Sequence, residues 1–299
     1  MKMKTNITGI VSALFFLTSA SYALALPKKG STLADPESAV LNDHFELSSA
    51  NYDFMGIVKL NNCSGSLVRF EDSLPTDKAM ILTNGHCIKV GPLGGFPKPN
   101  TYVLNYQVTR SFQFLRSDGT LSGQSVNSTK VLYGTMTGTD LALYELERTF
   151  GDIEKTWGYV PLTMSKSKPD AGQDIEILSG YWRRGYSCSI DMFIHQLRED
   201  DYSFTDSIRY TEPGCDTIGG TSGSPIIASG SRTVIGVNNT GNEDGERCTM
   251  NNPCEVSENG EVFFEKGLSY GQQTYLIYGC LDSNRKFDLS LETCKLFKN

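Results

Sequence analysis

From Gly56 to Phe264 the chain alternates short runs of β-branched, aromatic and aliphatic residues with clusters of Gly, Asn, Asp and Pro. The runs include Gly56–Leu60, Ser66–Phe70, Ala79–Thr83, Tyr102–Val108, Ser111–Leu115, Ser128–Tyr133 and Leu141–Leu146. Later ones are Asp174–Leu178, Ser207–Thr211, Pro225–Ala228, Thr233–Val237 and Glu261–Phe264. Runs of this length between turn residues read as strands, and many in series predict an all-β sandwich or barrel. Helical spacing is confined to Ser38–Leu47 and a short C-terminal piece near Thr274–Tyr278. Residues 165–173 read as a linker between two halves. At 299 residues and 39% hydrophobic content, the chain can bury one large β domain or two ordinary ones.

The first segment sets the compartment. Lys2 and Lys4 precede an apolar stretch, Ile7–Leu17, and Ala23-Leu24-Ala25 comes after it as an A-x-A cut site. The apolar part is too short to span a bilayer, so residues 1–25 read as a secretory signal peptide. The turn-rich residues 26–53 read as an arm or pro-segment, and 54–299 as the folded domain. Losing two lysines and no acid leaves the exported chain more acidic than the −7 of the full sequence. No basic patch suited to phosphates is present, which argues against nucleic acid. All eight cysteines lie after the leader, so in an oxidising compartment they are expected as disulfides. Eight cysteines allow 105 pairings, and spacing does not choose among them. No CxxC pair occurs and only three histidines exist, so no metal site is expected.

Three short segments carry chemistry. The first, Ile81-Leu82-Thr83-Asn84-Gly85-His86-Cys87, runs a strand into a glycine-flanked histidine. In the second, Gly138-Thr139-Asp140-Leu141-Ala142-Leu143-Tyr144, an acid leads into an apolar run. The third, Gly219-Gly220-Thr221-Ser222-Gly223-Ser224-Pro225-Ile226-Ile227, sets a serine in a tight glycine-rich turn before a buried strand. Read alone, each fits an ordinary turn or strand-end residue. Together they supply what serine acyl transfer needs. A serine hydroxyl is activated by an imidazole, the imidazole is oriented by a carboxylate, and backbone N–H groups receive the developing oxyanion.

"TNGHC", "GTDLALYEL" and "GGTSGSPII", in that order, resemble the signature blocks of trypsin/chymotrypsin-like serine peptidases. The "TSGSP" form is closer to the bacterial secreted branch. The resemblance spans Phe54 to Val237. It implies two antiparallel six-stranded β-barrels, here about 54–165 and 166–299, with the site in the cleft between them. It implies His86, Asp140 and Ser222 as catalytic residues and the N–H groups of Gly220 and Ser222 as the oxyanion hole. It further implies protein or peptide substrates, no cofactor, and a secreted monomer with no membrane contact once the leader is removed. Asn62-Cys63-Ser64-Gly65-Ser66-Leu67-Val68 resembles the strand that bridges to the cysteine after the catalytic histidine, which implies Cys63–Cys87. The rest then pair most simply as Cys188–Cys215, Cys248–Cys254 and Cys280–Cys294, each contributing about 2–4 kcal/mol by loop closure.

Two departures from the family bear on function. Thr221 stands where animal members carry an aspartate for zymogen activation, so that salt bridge is not expected. Asp216, six residues before Ser222, stands where trypsin-like members hold the acid of the primary pocket. This predicts cleavage after Arg or Lys, with Thr217, Asn239 and Gly241 as further substrate-binding residues. The alternatives are another preference at the same position (Glu, or a small or apolar residue) and a non-catalytic binding protein of the same fold. An α/β-hydrolase is disfavoured, because Ser224 replaces the last glycine of G-x-S-x-G and the chain order differs. The acidic loop Asn242–Glu246 lacks EF-hand spacing and reads as a solvated turn.

Overall fold

The computed structural model describes residues 52–88 and 95–298. The expected signal peptide, the helix at Ser38–Leu47 and nearly all of the 26–53 arm lie outside the described residues. In the first half, β1 (Ile57–Lys59), β2 (Ser64–Arg69) and β3 (Lys78–Thr83) precede β4 (Tyr102–Gln107), β5 (Ser111–Leu115) and β6 (Leu121–Thr135). Then come β7 (Thr137–Gly138), β8 (Leu141–Thr149), helix α1 (Phe150–Trp157) and β9 (Leu162–Met164). Antiparallel pairing runs β1–β2–β3–β8–β6–β5 and back to β1, which closes a six-stranded barrel. Closure leaves no unpaired edge in that ring.

The second half repeats the plan. Its strands are β10 (Asp174–Ser179), β11 (Arg184–Glu199), β12 (Tyr202–Tyr210), β13 (Pro225–Ala228), β14 (Thr233–Gly241), β15 (Cys254–Val256), β16 (Val262–Phe263) and β17 (Ser269–Gln273). Here the ring is β10–β11–β12–β17–β14–β13–β10, again antiparallel throughout. The expected two-barrel architecture is therefore present. Ile57, Leu67, Ile81, Leu82, Leu143 and Tyr144 are among the buried side chains that fill the first barrel. Ile175, Ile177, Ile208 and Ile226 belong to the core of the second.

Two short parallel pairings stitch the barrels together. β9, inside the segment that joins them, pairs with β2 of the first and β14 of the second. β7, directly before Asp140, pairs with β12 at Ser203 and Phe204. This second contact brings the β11–β12 hairpin against the segment that carries Asp140.

Three features differ from the sequence reading. Helix α1 has only eight residues, too few for a periodic signal, and a local cap starts it. Asp152 N–H donates to Thr149 Oγ1 at 3.1 Å and Thr149 N–H donates to Asp152 Oδ2 at 3.3 Å. The β11–β12 hairpin is far longer than the single run at Ser207–Thr211. The C-terminal helical piece is a 3₁₀ turn, Tyr275–Cys280, and the tail beyond it packs on the first barrel rather than the second. Tyr133 stacks on Phe287 with ring centres 5.5 Å apart and donates its hydroxyl to the Phe297 carbonyl. The Cys280–Cys294 disulfide closes that tail on itself.

Candidate active site

β3 delivers His86 through a turn in which Cys87 N–H bonds the Asn84 carbonyl and Ile88 N–H bonds that of Gly85. The Cys63–Cys87 disulfide fastens this turn to the residue before β2. Gly85 sits so close to the Thr135 carbonyl that a Cβ would overlap it, so no other residue fits. Asn84 Nδ2 donates to the Asp140 carbonyl at 2.8 Å, tying the histidine turn to the start of β8. Asp140 is 1% exposed and uses both carboxylate oxygens on one partner. Oδ2 lies 2.7 Å from His86 Nδ1, and Oδ1 accepts the His86 backbone N–H at 3.0 Å. Burial pushes the imidazole pKa down, but the charge and hydrogen bond of Asp140, with a further contribution from Glu199, carry it above its ordinary value.

Ser222 is held by a turn whose bonds run Thr221 N–H to Ile218 C=O and Ser224 N–H to Thr221 C=O. Gly220, at φ +93°, adopts the left-handed backbone that glycine tolerates. Among the described residues, the N–H groups of Gly220 and Ser222 bond no other protein group. The Gly219 carbonyl accepts Trp182 Nε1–H at 2.7 Å, and because the peptide is trans the Gly220 N–H is turned away from the indole.

Ser64, fully buried, locks the turn to the first barrel. Its N–H donates to the Ser222 carbonyl at 2.8 Å, and its hydroxyl reaches the Gly220 carbonyl at 3.1 Å. From the second barrel, Asn238 donates to Thr221 Oγ1 and accepts from the Tyr210 hydroxyl. The Ser222 hydroxyl itself donates to the Asn239 carbonyl at 3.2 Å.

His86, Asp140 and Ser222 all line one cavity of about 190 Å³. Thr217, Asn239 and Gly241 line it too. Asp216 does not. Its side chain is exposed on the turn after Cys215, whose disulfide to Cys188 fixes the backbone there. The expected carboxylate at the base of the primary pocket is thus not supplied by Asp216. The cavity's other carboxylates are Glu199, which the sequence did not single out, and Glu243, from the acidic loop that reads in sequence as a solvated turn. The remaining cysteines pair as Cys248–Cys254 and, in the tail, Cys280–Cys294. Cys63, Cys87 and His86 lie within 4.8 Å of one another, but both sulfurs are spent in a disulfide and supply no thiolate for a metal.

A family model for the trypsin-like peptidase domain matches residues 63–237, more than half of the chain. The chain belongs to this family. Its substrates are accordingly peptides or proteins. No curated protein matches this peptidase in sequence. Among solved structures it is similar to the apo MamO protease domain of Magnetospirillum magneticum, at 14% identity and TM-score 0.47 over 77% of this chain and 97% of that one. A Nocardiopsis protease gives 15%, 0.40, 75% and 92% for the same measures. A chymotrypsin of Cellulomonas bogoriensis gives 13%, 0.39, 75% and 91%. Four disulfides fit a peptidase that folds in an oxidising compartment. Among the described residues, no helix is long and apolar enough to cross a membrane.

Proposed function

We propose that the chain is a secreted, monomeric serine endopeptidase that cleaves through an acyl-enzyme on Ser222. The observation that carries this reading is the doubly bonded His86–Asp140 pair facing the same cavity as Ser222 in a chain of peptidase family. Ser222 Oγ attacks the scissile carbonyl carbon while its proton passes to His86 Nε2, the nitrogen that Asp140 leaves free. The resulting oxyanion takes hydrogen bonds from the Gly220 and Ser222 N–H groups. His86 then gives the proton to the departing amine, and the C–N bond breaks. Water, deprotonated by His86, attacks the acyl ester and releases the acid and Ser222. For the first step the hydroxyl turns from the Asn239 carbonyl toward the imidazole, a bond that commonly tightens only with substrate bound.

A phosphonyl fluoride is expected to inactivate the enzyme with one adduct per chain, mapped by mass spectrometry to Ser222. An adduct on another residue, or full activity without one, would overturn the assignment. The Trp182 bond to Gly219 offers a finer test. Trp182→Phe keeps an aromatic ring beside Tyr181 but removes the N–H, so the Gly219–Gly220 peptide is free to turn. We expect kcat to fall about tenfold with KM nearly unchanged, less than the loss of an oxyanion donor outright. An unchanged kcat would mean that the peptide holds its orientation without the indole.

A preference for Arg or Lys directly before the scissile bond draws no support from the position of Asp216. Of the residues that line the cavity with Ser222, Thr217, Ile218, Gly219, Asn239, Thr240 and Gly241 carry no charge.

A further inference from the structure

Glu199 closes β11 at the tip of the long hairpin, 7% exposed, and is one of the residues that line the cleft. Asn251 N–H donates to its Oε1 at 2.8 Å, and Thr240 stands close enough to favour its charge. No Lys, Arg or His forms an ion pair with it among the described residues. A carboxylate buried without a cation is costly, because the Asn251 hydrogen bond does not replace the solvation it has lost. His86, when protonated, is near enough to favour its charge, and Asp140 is near enough to oppose it.

The position of this carboxylate decides which part of a substrate reaches it. β14 passes Ser222 at Asn239 and reaches Glu199 at Thr240. A substrate strand laid antiparallel along Asn239–Gly241 therefore meets Glu199 with a residue upstream of the one being cleaved. Around that point Met136, Tyr202 and Met250 offer apolar surface along the same cavity. The Tyr202 hydroxyl, bonded to the Pro97 carbonyl at 3.1 Å, fixes the hairpin against the loop beside His86. An apolar sleeve ending on a carboxylate suits the alkyl stem and charged head of Lys or Arg.

We infer that Glu199 receives a cationic side chain of the substrate, from a residue upstream of the scissile one, and that this acid rather than Asp216 gives the cleft its charge preference. This rests on the peptidase reading of the cleft. The burial that isolates the carboxyl also raises its pKa to about 7, opposed by the bond from Asn251 and by Thr240. The other titratable groups facing the cavity are His86, Asp140, Tyr202 and Glu243.

The test uses hexapeptides with a single Arg at each of four positions preceding the cleaved bond, each paired with its citrulline counterpart. Citrulline keeps the shape and drops the charge. In the wild type, kcat/KM is expected to favour Arg by about tenfold or more at one upstream position at pH 8. That ratio should fall toward one as pH drops through about 7 and Glu199 takes up a proton. Glu199→Gln should reduce the ratio to near one at every pH, whereas Glu243→Gln should leave it standing. A ratio near one at all upstream positions, or a ratio that survives Glu199→Gln, overturns the inference. So does a ratio abolished by Glu243→Gln alone. Should Glu199→Gln fail to fold, the wild-type pH profile decides. A flat profile would overturn the inference and a rise through about 7 would support it. Peptide affinities of the Ser222→Ala chain give the same Arg-to-citrulline comparison without turnover, so a failure of the catalytic assignment leaves this one separately decided.

Discussion

Asp140→Asn is expected to lower kcat by about 10⁴-fold while leaving the fold intact. The size of the effect comes from how the carboxylate is used. Oδ1 accepts the His86 backbone N–H at 3.0 Å, and Oδ2 lies 2.7 Å from Nδ1 of the same residue. An amide has one oxygen and one NH₂, and only the oxygen can face the backbone N–H. The NH₂ is then forced against Nδ1, which must accept. An imidazole accepting at Nδ1 carries its proton on Nε2 and has no lone pair there for the Ser222 proton. The geometry survives and the base is lost. Steady-state kinetics with a thermal melt checks this, and a kcat within about tenfold of wild type would remove Asp140 from the proposed mechanism.

The parts of this site that were legible in sequence are the ones built from neighbours in the chain. Gly85-His86-Cys87, Thr139-Asp140 and Gly220-Thr221-Ser222-Gly223 each owe their shape to glycines or a cysteine within a few residues. The alternation of short apolar runs and turn residues likewise announces the barrel strands. What stayed hidden depends on partners far away in sequence. Glu199 precedes Asp200 and Asp201, and nothing in the sequence sets it apart from them. It is buried only because β12 pairs with β7, and because Asn251 and Thr240 reach it from elsewhere. Trp182 acquires its role only from the Gly219 carbonyl, 37 residues away in sequence and 2.7 Å from its nitrogen. Ser64 sits beside Cys63 in a recognisable strand motif, yet its role as the tie between the nucleophile turn and the first barrel exists only across 158 residues of chain. Asp216 is the converse case. An offset of six residues from Ser222 locates a position in the chain but not the direction of a side chain within a turn.

Gly85→Ala tests the histidine turn from the backbone side, and it is expected to cost both activity and stability. The added Cβ would overlap the Thr135 carbonyl and stand 2.9 Å from Asp140 Oδ1. Neither neighbour is free to retreat. Thr135 ends β6 inside the closed first barrel, paired with β4 and β8, and is fully buried. Asp140 is held by His86 itself and, through its carbonyl, by Asn84. The turn must therefore move, but Cys87 is fastened to Cys63 one residue beyond His86. Strain of this kind in a packed interior costs about 1–3 kcal/mol. Displacing the imidazole by about 1 Å is enough to lose roughly 100-fold in rate. We expect kcat/KM to drop by at least about that factor at temperatures where the variant is still folded, together with a lower melting midpoint. Gly95→Ala, where an added methyl meets nothing within 4 Å among the described residues, is the matched control and should change neither quantity. If Gly85→Ala kept wild-type activity, the turn would be free to shift without carrying His86 away from Asp140, and the close packing of that turn would not be what aligns the proposed base.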